Sequence, residues 1–267
     1  MKGRPITAEE YERILDVVPQ VRQHDAEAWQ RYLTGLWLSG LRLAESILLS
    51  WDDDSPIAVD LGGKHPRFRI HGSAQKSGQD QLLPMTPDFA EWLLRTPRGD
   101  RTGRVFVLNN LRNGEPLAHG VIGRIVTRIG EKAGVVVNRE GKKVKETVEK
   151  QVRGKIRKVP TGRLVEEEVT RFASAHDYCR AFGTRWARKV MPATLQLLMR
   201  HASIATTMAY YVDLGTDEIA DDLWAKHSPE TNAGTILGTI DDPPPPLISP
   251  PRLAVSPYPE RSTGGGS

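Results

Sequence analysis

Helix start and stop signals, beside apolar residues at helical spacing, constrain this sequence more than any other feature. Thr7 and Glu10 form a capping box, with Ile6 and Tyr11 at the staple positions, so a helix is predicted to begin at about Ala8. Five further segments carry such signals: residues 29–37, which Gly40 ends, residues 43–48, residues 121–129, which Gly134 caps, and segments that begin near His176 and at Pro192. The chain is therefore predicted to be mainly helical.

Two short runs with a turn signal between them predict a β-hairpin. Residues 67–71 alternate around Phe68 and Ile70, residues 81–85 form the second run, and Ser77-Gly78 supplies the turn. Residues 105–108 form one more short strand candidate. A few strands among many helices indicate an α+β fold, mainly α-helical, with a small antiparallel β-sheet.

Length and composition exclude several classes of protein. The 267 residues suffice for one main domain with additions, and apolar and charged contents of 39% and 26% exclude a wholly disordered chain. No run approaches the roughly 18 uncharged apolar residues of a membrane span, and the N-terminus lacks the apolar core of a signal peptide. We therefore expect a cytoplasmic protein without a membrane partner. Cys179 is the single cysteine, which excludes an intramolecular disulfide and a Cys-rich zinc module.

Charge and proline are unevenly distributed along the chain. The net charge is +4, but residues 139–163 hold ten Lys and Arg against three Glu. Such a stretch favours a phosphate-bearing partner, and the alternative is a solvated hairpin or helix with no partner. Nine of the nineteen prolines lie from Pro229 onward, so residues 229–267 are predicted to be a disordered Pro/Gly-rich tail.

Four segments lie far apart in the sequence, at residues 39–52, 75–78, 176–184 and 198–211. In order and spacing they resemble the catalytic domain of the tyrosine recombinase (phage integrase) family. The resemblance covers about residues 5–227, and its most specific part is the nine-residue step from His201 to Tyr210. It implies an integrase-type core over residues 1–228, with a basic insertion at about 135–170.

The resemblance also implies a role for each matching residue. Arg42 grips the phosphate with Glu45 as acidic helper, Lys76 protonates the leaving 5′ oxygen, His176 and His201 supply proton transfer and hydrogen bonds, and Tyr210 is the nucleophile. It implies DNA recombination or integration, as in phages and other mobile elements, with no metal or organic cofactor. Its expected partners are double-stranded DNA, further copies in a homotetramer on paired sites, and an accessory DNA-binding protein.

Elementary chemistry explains why such residues are needed together. A phenol with a pKa of about 10 is a poor nucleophile at neutral pH, so Tyr210 must lose its proton as it attacks a phosphodiester. The phosphate gains negative charge, which the bidentate fork of Arg42 can hold. The product is a 3′-phosphotyrosyl bond with a free 5′ hydroxyl, and a second DNA end can reverse the attack without ATP.

The sequence departs from the family pattern in two places. Cys179 stands where the second catalytic arginine is expected, and Arg180 follows it. Three explanations are open. Arg180 could replace the missing arginine, the site could be degenerate and poorly active, or another cation, for instance from the basic stretch, could compensate. We take the first as the working hypothesis, with Arg180 as a catalytic residue and weak activity retained. The family's N-terminal core-binding domain is also expected to be absent, which predicts weak DNA binding with a shallow dependence on salt.

Other interpretations of these residues stay open. His176, Asp177, Cys179 and His201 could each ligate zinc, but their spacing matches no closed four-ligand site. Tyr211 is an alternative nucleophile, which the nine-residue step disfavours, and Tyr178 is predicted to lie in the core. Two other functions are a catalytically impaired DNA-binding protein of the same fold and an enzyme like type IB topoisomerases.

Overall fold

The computed structural model describes residues 3–74, 78–152, 155–211 and Trp224. All of these except Trp224 belong to one unit, residues 1–215, and a second unit comprises residues 216–267. The predicted tail, residues 229–267, and Lys76 lie outside the described residues.

Helix α1 (Ala8–Val21) begins where the capping box predicts. The Thr7 hydroxyl accepts from the Glu10 amide at 3.2 Å, and the Glu10 carboxylate accepts from the Thr7 amide at 2.9 Å. Helix α2 (Ala26–Ser39) packs against α1, with the Tyr11 and Trp37 rings stacked 4.5 Å apart. Local capping and an apolar face thus fix the first helix pair, as predicted.

Gly40 ends α2 and brings the chain close to a later helix. Its φ of 64° is left-handed, and a Cβ there would lie 2.5 Å from the Phe182 ring, so both conformation and contact require glycine. Arg42 follows as the N-cap of helix α3 (Leu43–Ser46). The prediction of helix through Leu48 was too long, because the chain turns at residues 47–48 to enter the sheet.

The small sheet contains β1 (Leu49–Ser50), β2 (Ile57–Asp60), β3 (Arg67–Ile70) and β4 (Gln81–Pro84), in that order. β1 is parallel to β2, and the other pairs are antiparallel. The predicted hairpin is confirmed as β3 and β4, with Phe68 opposite Leu83. Helix α4 (Pro87–Leu94) follows, and 3₁₀ turns lie at Gly72–Ala74 and Arg98–Asp100.

The strand predicted at residues 105–108 is wrong. Its chain neighbour Arg104 makes only an isolated bridge to Ser50, and the Val105 amide donates to the Leu49 carbonyl at 3.0 Å. Val105, Phe106 and Leu108 are nevertheless buried. The apolar run therefore reflects burial of an irregular segment that forms no strand ladder.

Helix α5 (His119–Lys132) leads into a long hairpin of β5 (Val136–Val152) and β6 (Lys155–Phe172). The strands are antiparallel, with a register that runs from Val136–Phe172 to Val152–Lys155 and shifts near Asn138 and Thr147. The basic stretch, residues 139–163, lies in this hairpin. Of the two structures that its charge pattern left open, the hairpin is correct.

The chain after β6 forms three helices, α6 (Ala175–Ala187), α7 (Pro192–Met199) and α8 (Ile204–Met208). A small apolar cluster joins them, composed of Phe182, Ala187, Leu195, Met199 and Tyr210. Among the described residues, no helix is both long and apolar enough to cross a membrane. The predicted α+β class, mainly helical with a small sheet, is confirmed.

Candidate active site

Arg42 lies at the junction of α2 and α3 and reaches the end of α7. Its backbone amide donates to Glu45 Oε2 at 2.7 Å, and its Nη1 donates to Glu45 Oε1 at 3.0 Å. Its Nη2 donates to the carbonyls of Met199 and Arg200, each at 3.2 Å. The side chain remains 44% exposed. Glu45 therefore orients a guanidinium that a ligand can still reach.

One face of helix α6 forms the wall behind this arginine. His176, Cys179 and Gly183 recur at helical spacing on that face. The Cys179 thiol donates to the Gly40 carbonyl at 2.9 Å. A Cβ at Gly183 would lie 2.7 Å from both Met199 Sδ and the Tyr210 ring. Small residues thus let the Arg42 junction and Tyr210 approach α6 closely.

His201 and Tyr210 lie against each other across the turn of helix α8. The two rings are nearly parallel, with 13° between their planes and 6.0 Å between their centroids. His201 Nδ1 hydrogen-bonds to the Thr207 hydroxyl at 2.9 Å, and Thr207 is fully buried. This second contact fixes the imidazole orientation and leaves Nε2 as the ring nitrogen that faces other partners.

Burial and neighbouring cations act on both histidines. Burial, and then Arg180 and Arg42, hold the pKa of His176 below its usual range. Burial likewise lowers the pKa of His201, helped by Arg42, His176 and Arg200. Arg42 therefore lies within electrostatic reach of both histidines. Both imidazoles are therefore mainly neutral at neutral pH and able to accept a proton.

Tyr210 is 8% exposed and keeps its proton in the free protein. Burial and the Cys179 thiol raise the pKa of its phenol, and Arg180 and Arg42 act in the opposite direction. The cations therefore favour the phenolate that an attack on phosphorus requires, while burial opposes it.

The predicted site residues fall into three groups. Arg42, His176, His201 and Tyr210 are brought together. Arg180 lies beside His176 on a cavity of about 550 Å³, but its guanidinium donates to the buried carboxylate of Asp177. Lys76 is outside the described residues.

Neighbouring residues that the sequence left ambiguous have structural contacts. The Tyr211 hydroxyl donates to the Val190 carbonyl at 2.7 Å, and Tyr178 is buried in the core as predicted. The Asp177 carboxylate caps α6 by accepting from Ser174. Over the described ranges, no group of three His, Cys, Asp or Glu is placed to hold a metal ion.

Arg200 is a site residue that the sequence reasoning missed. It directly follows α7 with a φ of 51°, the one positive φ outside glycine in the described structure. Its amide donates to the Leu197 carbonyl and the His201 amide to the Gln196 carbonyl, each at 3.1 Å, a closure that usually has glycine here. For another residue this conformation costs about 1 kcal/mol. The sequence signal that could have indicated Arg200 is the absence of glycine at the end of α7.

No family model and no curated protein matches this chain. Solved structures that resemble it are recombinases and integrases. The XerA recombinase is 17% identical, with 85% of this chain and 67% of that chain covered and a TM-score of 0.48. The Tn1549 transposon integrase, bound to transposon right end DNA, is also 17% identical, with 85% of this chain and 67% of that chain covered and a TM-score of 0.47.

A third similar structure is a lambda integrase dimer bound to a core site. It is 14% identical over 81% of this chain and 62% of that chain, with a TM-score of 0.49. The chain thus spans about two thirds of the length of the solved chains that it resembles, and 54% of the XerH site-specific recombinase.

Proposed function

We propose that this chain is a tyrosine recombinase that breaks and rejoins DNA through a covalent 3′-phosphotyrosyl bond at Tyr210. The observation that carries the proposal is that His201 stacks on Tyr210 and that Arg42 reaches the Arg200 carbonyl beside His201. His176, from a third part of the sequence, acts electrostatically on His201. Together they supply a nucleophile, neutral bases and a guanidinium, which are the groups that phosphodiester attack requires.

The proposed step is a transfer of phosphorus between two oxygens. The Tyr210 hydroxyl oxygen bonds to phosphorus, and the bond from phosphorus to the 5′ oxygen breaks. The phenolic proton passes to one neutral imidazole, His176 or His201, and Lys76 gives a proton to the 5′ oxygen. The products are a 3′-phosphotyrosyl bond and a 5′ hydroxyl, with no change of oxidation state. Attack by a 5′ hydroxyl on the phosphotyrosine reverses the step and rejoins the DNA.

Tyr210 is the better nucleophile of the two adjacent tyrosines. Its ring stacks on His201, whereas the Tyr211 hydroxyl is bound to the Val190 carbonyl at 2.7 Å. Arg42 remains partly exposed, so its guanidinium can exchange a carbonyl partner for a phosphate oxygen. The oxygens that gain charge in the transition state then face a positive group.

Covalent trapping of DNA tests this function directly. The full chain is incubated in EDTA with nicked duplex oligonucleotides of randomised sequence, and adducts that survive detergent are isolated. We expect adducts from the natural chain and from Tyr211→Phe, and a loss on the order of 1000-fold or more in Tyr210→Phe. Mass spectrometry should place the nucleotide on the Tyr210 peptide. An adduct that persists in Tyr210→Phe, or none from the natural chain, would contradict the proposal.

The second candidate function is DNA binding without cleavage, and Cys179 is the observation that favours it. Its buried thiol lies where the resemblance expects an arginine, bonded to backbone carbonyls and not available to a phosphate. If this function is correct, the natural chain binds duplex DNA but forms no adduct, and Cys179→Arg forms one.

The wider assignments belong to the same proposal. We infer that the catalytic domain spans residues 1–228, that its partner is double-stranded DNA, and that strand exchange takes place in a homotetramer on paired sites. The basic hairpin of β5 and β6 supplies part of the contact with DNA phosphates, because it concentrates ten basic residues against three acidic ones over residues 139–163.

A further inference from the structure

Helix α6 has no positively charged side chain at the position that faces Arg42 and the junction of α2 and α3. Cys179 occupies this position, and its thiol lies 2.9 and 3.5 Å from the carbonyls of Gly40 and Leu41. Arg180, one residue further on, directs its guanidinium to the Asp177 carboxylate. The α6 position that the resemblance gives to the second arginine thus holds a thiol, and the guanidinium next to it is engaged by a carboxylate.

The end of helix α7 brings a guanidinium to the same place. Arg200 Nη2 donates to Glu45 Oε2 at 2.5 Å, and Arg42 Nη1 donates to the other oxygen, Oε1, at 3.0 Å. Arg42 Nη2 also donates to the backbone carbonyl of Arg200 at 3.2 Å. Arg200 is close enough to act electrostatically on the Cys179 thiol and on His201. One carboxylate therefore holds two guanidinium groups, and the cluster keeps an excess positive charge.

The donors of Arg200 point to an anionic ligand. Within the part of the chain that the structure describes, its Nε and Nη1 are buried and have no hydrogen-bond partner. The whole side chain is only 12% exposed. An ionised group buried with unused donors is costly unless a ligand accepts from them.

The backbone gives a second, independent reason to expect a function. The φ of 51° at Arg200 is a conformation that glycine adopts without strain. Arginine at such a position costs backbone strain that glycine would avoid. Strain of this kind is concentrated at functional sites, which indicates that the side chain of Arg200 has a function.

We propose that Arg200 is the second phosphate-binding arginine of this site, supplied by the end of α7 in place of the α6 residue that is Cys179. The inference rests on the proposed function and names a further catalytic residue for it. Arg42 Nη2 releases its backbone carbonyls on binding and uncovers the buried Nη1 of Arg200, so that a phosphate oxygen between the two guanidinium groups accepts from both. Arg200 stabilises the charge on the non-bridging oxygens and transfers no proton.

Moving the arginine from one helix to the other tests the proposal. We compare Arg200→Gly, Cys179→Arg and the double variant in the trapping assay, after checking each fold by circular dichroism. Arg200→Gly should lower the rate of adduct formation on the order of 100-fold. Cys179→Arg alone should not raise the rate, because its guanidinium enters a place that is already positive. The double variant should recover at least about tenfold of the loss.

Two results would overturn the inference. One is a rate in Arg200→Gly equal to that of the natural chain. The other is a rate in Cys179→Arg above that of the natural chain, since this would show that the position on α6 was vacant. If Arg200→Gly does not fold, Arg200→Gln replaces it in the comparison, because Gln keeps the backbone conformation and a polar stem without the charge.

Binding of inorganic phosphate separates this inference from the proposed function. Phosphate should raise the unfolding temperature of the natural chain, and Arg200→Gln and Arg42→Gln should each reduce that rise, whereas the exposed Arg95→Gln should not. If Arg200 governs the rise but no adduct forms, the anion site stands and the proposed function falls. If adducts form and neither assay responds to Arg200, the proposed function stands and the inference falls.

Discussion

Gly183 is the residue whose size decides whether Tyr210 can reach its place. An added Cβ would meet Met199 Sδ and the Tyr210 ring, each at 2.7 Å, closer than side chains approach one another. Because α6 packs against α2, α5 and α7, its backbone is held in place and the side chains of Met199 and Tyr210 must shift. The absence of a side chain at residue 183 is therefore part of the candidate site.

Gly183→Ala should displace the nucleophile. We expect adduct formation to fall on the order of 100-fold, as for a shift of about 1 Å in a reacting group. Overpacking should also lower the free energy of unfolding by about 1–3 kcal/mol. Gly120→Ala is the matched control, since a Cβ at this helical glycine meets nothing within 4 Å. Equal activity in both variants would show that Tyr210 is not constrained by α6.

The two site histidines should make stability depend on pH. Burial lowers the pKa of His176 and His201 below 6.5 in the folded protein. The unfolded chain therefore binds more protons than the folded chain as the pH falls through 6.5, and the free energy of unfolding decreases in that range. Urea unfolding between about pH 7.5 and about pH 5.5 measures the effect.

A variant identifies the groups responsible for this pH dependence. In the double variant His176→Gln with His201→Gln, the free energy of unfolding should decrease less as the pH falls below 6.5. Arg4 lowers the pKa of Glu10, so this carboxylate affects the free energy of unfolding only below about pH 4.5. That range does not overlap with the range in which the histidines titrate. An identical pH profile in the double variant would contradict the assignment.

At the scale of elements, the hairpin of β5 and β6 is the feature with the clearest expected effect on binding. Lys142 and Lys143 lie in β5 opposite Glu167 and Glu166 in the backbone register. If the basic stretch binds DNA, Lys142→Gln with Lys143→Gln should reduce the slope of log affinity against log salt by about 0.9 for each DNA phosphate that these lysines neutralise. Fluorescence anisotropy with duplex DNA at several salt concentrations measures this slope.

Two lysines outside the hairpin provide the control for charge alone. Lys64→Gln with Lys132→Gln changes the net charge by the same amount and should leave the slope nearer its original value. If the two double variants behave alike, the hairpin is a solvated surface without a specific role in DNA binding.

Elements with local signals could be predicted from the sequence, and elements that depend on distant contacts could not. The capping box at Thr7 and the glycine at position 40 fix helix ends through neighbouring residues. The β5 and β6 strands carry charges rather than an alternating apolar face, so no periodicity indicated them. The segment at 105–108 is an apolar run typical of a strand, but its pairing with β1 is limited to one isolated bridge and one amide hydrogen bond.

The same distinction applies to the candidate site. Arg42, His176, His201 and Tyr210 could be proposed because their spacing matches a family pattern. Arg200 could not, because its importance depends on a left-handed backbone and on a carboxylate from α3. The structure also shows that Arg180 is held by Asp177, an i,i+3 pair within α6 that the comparison with the family pattern did not take into account.

At the scale of the whole molecule, assembly distinguishes recombination from topoisomerase-like relaxation. A recombinase that works as a tetramer should form adducts on DNA with two paired sites, with a yield that rises more steeply than linearly with protein concentration. The DNA sequence recovered from trapped adducts supplies these sites. Mass measurement of the intact protein–DNA complex reports the number of chains bound.

A topoisomerase-like enzyme would give the opposite pattern. It would relax supercoiled plasmid DNA as a monomer, at low protein concentration and without paired sites. Tyr210→Phe should abolish either activity, so it serves as the common control. Relaxation that persists at dilutions where no assembly is detected would contradict the proposed recombination.

The thiol that stands in place of an arginine is also the only one in the chain, at Cys179. Burial raises the pKa of this thiol to about 11, and alkylating reagents react with the thiolate. Labelling in native buffer therefore needs α6 to part from the backbone at residues 40–41. Pulsed alkylation read by mass spectrometry measures the free energy of that opening without an engineered cysteine. Cys179 is therefore a natural probe of local opening between α6 and residues 40–41, and bound DNA should slow its alkylation.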